Sequence, residues 1–222
     1  MDTNERFRDL TVDQFISLLA SAAPTPGGGS AAAIAGSLGA ALLAMVASLS
    51  EGRPKYAEHE ALLADAKAAG TELADRFLRL ADEDASAFAG FGVAMKLPRD
   101  TDEQKTARTR ALQTAARAAT EAPYKTVQAC LEVAAMAEAL AGRSNKNASS
   151  DLEVAGLMAV AAARAAAANV YVNLPAMGDD LAANEILSRT EAIVDDVERL
   201  SARTREVVRG GEPRSPMGAG GA

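Results

Sequence analysis

Four segments of this chain combine residue types and spacings that could do chemistry. The first is Pro24-Thr25-Pro26-Gly27-Gly28-Gly29-Ser30. Three consecutive glycines permit left-handed backbone and can present several N–H groups, and at a helix N-terminus such a loop can hold an anion or a polar ring. The prolines stiffen it and Ser30 is placed to cap the helix that follows. The plain alternative is a tight turn that lets two helices touch. No Gly-Lys-Ser/Thr follows at the spacing of a nucleotide-binding P-loop.

The second segment is Asp82-Glu83-Asp84-Ala85-Ser86-Ala87-Phe88, with Lys96-Leu97-Pro98 beyond it. Asp84 and Phe88 are four apart and share a helix face. Burial among small neighbours would raise the Asp84 pKa and suit it to proton transfer, although spacing alone fits a solvated acidic stripe better. The third runs from Asn147 through Ser150 to Asp151 and, taken by itself, reads as an ordinary Ser/Asp helix start. The fourth is Asn169 and Asn173, four apart in an otherwise apolar stretch. Amides there need partners, either another helix or a heterocyclic ligand.

Composition narrows the chemistry. The 222-residue chain has a formal net charge of -7, which argues against generic nucleic-acid binding but leaves room for a small anion held by local Lys or Arg. With one cysteine, Cys130, and one histidine, His59, no disulfide can form within the chain. The usual ligands of a transition metal are lacking, so no metal site is expected. Cys130 reads as a small buried hydrophobe and His59 as solvated.

The elements that must position these residues are helices. Hydrophobic residues make up 49% but aromatics only 4%, and most of the apolar share is alanine, the best helix former. Helix 1 is expected from Thr11, with Thr11 and Gln14 as a capping box. Helix 2 spans about Ser30 to Leu49, helix 3 Tyr56 to Phe91, and helix 4 Thr101 or Asp102 to Ala141 with a kink at Pro123. Helix 5 spans about Ser150 to Asn173 and the last helix Asp180 to Val208. Short connections make consecutive helices antiparallel neighbours. The expected fold is all-α, an up-and-down antiparallel bundle of five to six long helices. It forms a single domain over residues 1–209, with a disordered tail at 210–222.

The uncharged run from Ser21 to Ser50 is long enough to span a membrane. It is rich in Gly, Ala and Ser and lacks a basic leader, so a helix buried in a soluble, cytoplasmic bundle is the expected reading, with no membrane role. One bundle would hardly bury so uncharged a helix, which points to a homo-oligomer. Geometry adds a constraint. Asp151 and Asn169 are 18 residues apart, so they share a face but lie roughly 27 Å apart along it. The glycine loop, Lys96 and Asn173 fall at one end of the bundle. Lys55, Arg143, Asn147 and Asp151 fall at the other.

Taken in order, these segments resemble a known family. The run Pro24 to Ser30 with Ala31-Ala32-Ala33, then Met45-Val46, is similar to the opening signature of the formiminotransferase-cyclodeaminase C-terminal domain and its stand-alone relatives, the bacterial methenyltetrahydrofolate cyclohydrolases. Asp84 to Phe88, Lys96 to Pro98, Ala122-Pro123, Asn147 to Leu152, and Asn169-Val170 with Asn173 follow in the family's order. The likeness covers about residues 10–205, and the Gly142-to-Asn147 loop is its least typical part.

The resemblance implies a helical homo-oligomer, in the first place a dimer, with a folate site near subunit contacts and no cofactor beyond the tetrahydrofolate substrate. It implies either hydrolysis of 5,10-methenyltetrahydrofolate or cyclisation of the 5-formimino compound with loss of ammonia. A non-catalytic oligomerisation module is the alternative outside enzymology. In the enzymatic reading Asp151 or Asp84 handles protons, Asn169 and Asn173 orient the pterin or the water, and Lys55 or Lys96 meets the glutamate tail of folate. The Gly27-to-Ser30 backbone holds the substrate close, and Pro26, Asn147 and Ser150 carry over as further substrate-binding positions.

Overall fold

A computed structural model describes residues 6–213 of the chain. Six α-helices account for most of them: α1 Val12–Leu19, α2 Gly28–Ser48, α3 Glu60–Met95, α4 Asp102–Leu140, α5 Ser149–Asn173 and α6 Asp180–Val208. No strand occurs among the described residues. Single 3-10 turns precede α1, α3 and α5 and join α5 to α6. The helices pack as an antiparallel bundle in which α2 lies against α3, α4 and α5, and α6 covers α4 and α5.

Local chemistry explains the helix starts. Thr11 and Gln14 form the expected capping box on α1, and Thr101 and Gln104 form a second on α4. In each, hydroxyl and amide satisfy first-turn N–H groups that have no partner inside the helix. At α2 the structure departs from expectation. The N-cap is Gly27, and Ser30 lies inside the helix rather than capping it. Gly28 and Gly29 are already helical, and none of Gly27, Gly28 and Gly29 has a positive φ. The Thr25–Pro26 peptide is cis and Pro26 is buried. Helix α3 begins after a 3-10 turn over Pro54–His59 and continues to Met95, one turn past its expected end.

Small residues set the spacing of the core. A Cβ on Gly70 of α3 would stand 2.8 Å from the Ala40 carbonyl of α2, and one on Gly36 would stand 2.6 Å from the Phe77 ring. Both distances are below normal contact, so α2 and α3 approach through glycine. Around this seam Leu43, Val46, Leu63, Phe77, Val133, Leu152 and Val197 are wholly buried and draw α2 through α6 into one cluster. Both α2 and the stretch Lys146–Met177 are long and apolar enough to cross a membrane, and 56% of the apolar window of α2 is buried inside the bundle. Residues 210–213 turn back, with the Gly211 N–H donating to the Glu206 carbonyl and Pro213 against Gly142. The remainder of the expected tail, 214–222, lies outside the described residues.

Candidate functional site

The start of α2 meets the last third of α3 and the C-terminal turn of α5 around a cavity of ≈ 380 Å³. Its wall includes Pro24, Thr25, Gly27, Gly28, Gly29, Asp84, Phe88, Asn169 and Asn173. Three of the four segments singled out in the sequence therefore come together at one end of the bundle.

Among the described residues Asp84 is the only ionisable side chain in that wall. It is half-buried, not part of a solvated stripe, because α2 begins against it. The Ser30 hydroxyl, itself fully buried, lies 3.0 Å from Asp84 Oδ2 and 3.1 Å from the Ala81 carbonyl oxygen. Burial pushes the Asp84 pKa up, and hydrogen bonds from the Ser30 hydroxyl and backbone N–H pull it partly back. A hydroxyl has one proton and two lone pairs. Ser30 can donate to the Asp84 carboxylate, or turn its proton to Ala81 and accept from Asp84 once the acid is protonated. Both charge states of Asp84 thus find a partner without movement of the backbone.

The glycines act through size rather than left-handed backbone. A Cβ on Gly29 would stand 2.7 Å from Asp84 Oδ2 and nearer still to Oδ1. A Cβ on Gly28 would stand 3.5 Å from Asn169 Nδ2. The first helical bond of α2 is Ala31 N–H to the Gly27 carbonyl. The N–H groups of Gly28 and Gly29 therefore have no acceptor inside the helix, and both residues line the cavity.

The two amides are held differently. Asn169 Nδ2 donates to its own helix at the Ala165 carbonyl, 2.9 Å. Asn173 Nδ2 donates across to the Ala119 carbonyl of α4, 3.0 Å. Each has an oxygen left for a ligand in a cavity that Phe88 and Phe91 also line.

Asp151, Asn147, Ser150 and Lys55 are not at this cavity. Asp151 lies in the first turn of α5, at the end opposite Asn169 and Asn173, as helix length requires. Lys55 borders a separate recess of ≈ 310 Å³ with Tyr56, Ser144, Lys146 and Ser149. Asn147 is exposed, and its N–H donates to Asn145 Oδ1 at 3.1 Å. Lys96 is exposed at the C-terminal cap of α3, on the cavity's end of the bundle but outside its wall. Pro26 is buried and is not part of the wall, whereas Pro24 and Thr25 line it.

Sequence reasoning missed Phe91, Ala119 and Val172 as wall residues. Phe91 was readable, since positions 84, 88 and 91 follow the i, i+4, i+7 face of one helix. Tyr56 and Asn145 were missed as ties of the opposite end: the Tyr56 hydroxyl accepts from the Lys146 N–H at 3.2 Å, and the Asn145 N–H donates to Ser50 Oγ at 2.8 Å. A groove between α5 and α6 matches the cavity in size, at ≈ 400 Å³, but its Arg164 and Glu198 are paired with each other at 2.5 Å. Among the described residues no three His, Cys, Asp or Glu side chains are grouped to hold a metal ion. Cys130 is buried, which pushes its thiol pKa up, and His59 stands half-buried beside Glu58.

The family described as formiminotransferase-cyclodeaminase matches residues 11–192 of the chain. A methenyltetrahydrofolate cyclohydrolase of Methylorubrum extorquens is 41% identical over 199 residues, covering 90% of this chain and 96% of that protein. The formimidoyltransferase-cyclodeaminase of Gallus gallus is 30% identical over 188 residues, covering 85% of this chain and 35% of that longer protein. Among solved structures, a formiminotetrahydrofolate cyclodeaminase of Thermotoga maritima superposes with a TM-score of 0.83 at 26% identity, over 91% of this chain and 98% of that one.

Proposed function

The chain belongs to the formiminotransferase-cyclodeaminase family, and from that footing we propose that it is an enzyme of folate one-carbon metabolism that hydrolyses 5,10-methenyltetrahydrofolate to 10-formyltetrahydrofolate. The observation that carries the choice of reaction is the 41% identity over nearly the whole length of a methenyltetrahydrofolate cyclohydrolase, against 30% for a bifunctional cyclodeaminase.

The chemistry fits the cavity. The N5=CH–N10 bridge of the substrate is a cationic electrophile, so water can add to its carbon once a base removes a proton. The neutral tetrahedral adduct then loses its C–N5 bond. N5 leaves with a proton, the remaining O–H proton departs as the formyl carbonyl forms, and the net reaction releases one proton. Asp84 takes the role of base and then of acid. A carboxylate partly withdrawn from water is more basic than a solvated one, and it also balances the bridge charge. The Gly28 and Gly29 N–H groups and the free oxygens of Asn169 and Asn173 orient the pterin and the attacking water, and Phe88 covers the ring. Proton transfer and C–N cleavage ask for side chains and water, so we propose no metal or redox cofactor. Lys96, at the cavity's end of α3, is better placed than Lys55 to meet the glutamate tail of folate.

We further propose a homodimer. Leu38 and Met45 of α2, Leu49 at its C-terminal cap, and Val154 and Leu157 of α5 are exposed and apolar, a face suited to a second copy. Asp151 can belong to this site only through such a neighbour. Asp151→Asn should then be inactive by itself, and mixing it with Asp84→Asn subunits should restore about a quarter to a half of wild-type activity by forming one intact shared site. Full activity of Asp151→Asn in a dimer would remove Asp151 from the mechanism.

The assay that separates the two family reactions follows loss of methenyltetrahydrofolate absorbance alongside ammonia released from 5-formiminotetrahydrofolate. Acceleration of the first with little of the second is expected. Ammonia release with no acceleration of hydrolysis would make the chain a cyclodeaminase.

A further inference from the structure

Pro123 lies in the interior of α4 and is buried, a position where proline removes a helical hydrogen bond. The bond it removes is to the carbonyl four residues earlier, that of Ala119. That carbonyl is the one to which Asn173 of α5 donates, at 3.0 Å. Ala119 and Asn173 both line the cavity, whereas Pro123 does not.

We propose that Pro123 is a positioning residue for the site. By withholding its own N–H it keeps the Ala119 carbonyl open, and the carbonyl fixes the Asn173 amide. A carbonyl oxygen only accepts, so Nδ2 must be the atom that faces it. Oδ1 is then the atom left for a donor on the substrate or for the attacking water. The contrast within α5 supports this. Asn169, one turn earlier, bonds only within its own helix, while Asn173 is anchored to a different helix at a carbonyl that an unbroken α4 would have used itself. The proline thus serves as more than a bend, because it creates an acceptor in the cavity wall.

The part of this inference that concerns turnover rests on the proposed cyclohydrolase reading; the part that concerns the amide does not. The experiment restores the missing donor with Pro123→Ala in the full chain and reads two quantities. The side-chain NH₂ signals of Asn173, assigned in a ¹⁵N-labelled sample by their loss in Asn173→Ala, should shift and exchange faster in Pro123→Ala. With 5,10-methenyltetrahydrofolate as the probe, kcat/KM should fall about tenfold in Pro123→Ala and should fall no further when Pro123→Ala is added to Asn173→Ala. Pro123→Ser, which restores the same N–H, should give the same Asn173 shift and the same loss if Pro123→Ala fails to fold. Unchanged Asn173 signals in Pro123→Ala, or losses that multiply in the double variant, would overturn the proposal. If the wild-type chain does not hydrolyse this substrate, the cyclohydrolase reading fails, and the NH₂ signals still decide whether Pro123 positions Asn173.

Discussion

Gly29→Ala should lose about a hundredfold or more in kcat/KM while the bundle remains folded. Gly29 is helical and needs no left-handed backbone, so alanine meets no conformational obstacle and would raise the intrinsic helix propensity of α2 by about 1 kcal/mol. The loss comes from space. The new Cβ would fall within 2.7 Å of Asp84 Oδ2 and closer still to Oδ1. Asp84 must then turn away, breaking its contact with Ser30 and leaving the cavity without a base. Circular dichroism and a melting curve near those of the wild type, with turnover gone, are the expected pair of readings. Near-normal turnover would mean that Asp84 works from a different rotamer or does not work at all.

Asp84→Asn should reduce kcat by a factor on the order of 10² to 10⁴, the range for removal of a general acid–base group. It should do so without loss of stability. Burial raises the Asp84 pKa in the folded chain, so between the ordinary carboxylate value and that raised value the folded state binds more protons than the unfolded one. The stability linked to this proton is present at low pH and is lost as pH rises through the folded-state pKa. Above that raised pKa the ionised, half-buried carboxylate is therefore a burden that the amide removes, and there the variant should unfold no earlier than the wild type. The same shift predicts the pH profile. The acidic limb of kcat/KM in the wild type should lie above the usual carboxylate range and should be missing from the residual activity of Asp84→Asn. A wild-type limb in the ordinary carboxylate range would contradict the burial of this group in the working enzyme.

Much of this site was legible before the fold was known, because it depends on helix arithmetic. The 3.6-residue period places Asp84 with Phe88 and Asn169 with Asn173. The rise per residue separates Asp151 from Asn169, and the cavity indeed gathers one set and excludes the other. The two hydroxyls show where reading along the chain stops. Thr11 caps α1 as its spacing with Gln14 suggests, a relation between neighbours. Ser30 looks like a cap on the same grounds, yet it faces Asp84 and Ala81 on another helix, and nothing within a few residues of Ser30 reports that contact. The burial of Asp84 has the same origin, since it depends on how closely α2 approaches α3 through Gly29, Gly36 and Gly70. For the same reason the glycine triplet reads in sequence as left-handed backbone and proves in structure to be room for a carboxylate. Pro123 was legible as a helix irregularity, but its consequence became visible only once Asn173 was seen to bond the carbonyl it frees.

We propose that folate chemistry takes place at the glycine-loop end of the bundle, on Asp84. A crystal structure of the chain soaked with a stable tetrahydrofolate such as 5-formyltetrahydrofolate tests it most directly. The expected result is the pterin between Phe88 and the amides of Asn169 and Asn173, with its one-carbon group within hydrogen-bond reach of Asp84. Folate seated instead in the recess of Lys55, Tyr56 and Lys146, with the Asp84 cavity empty, would overturn this placement.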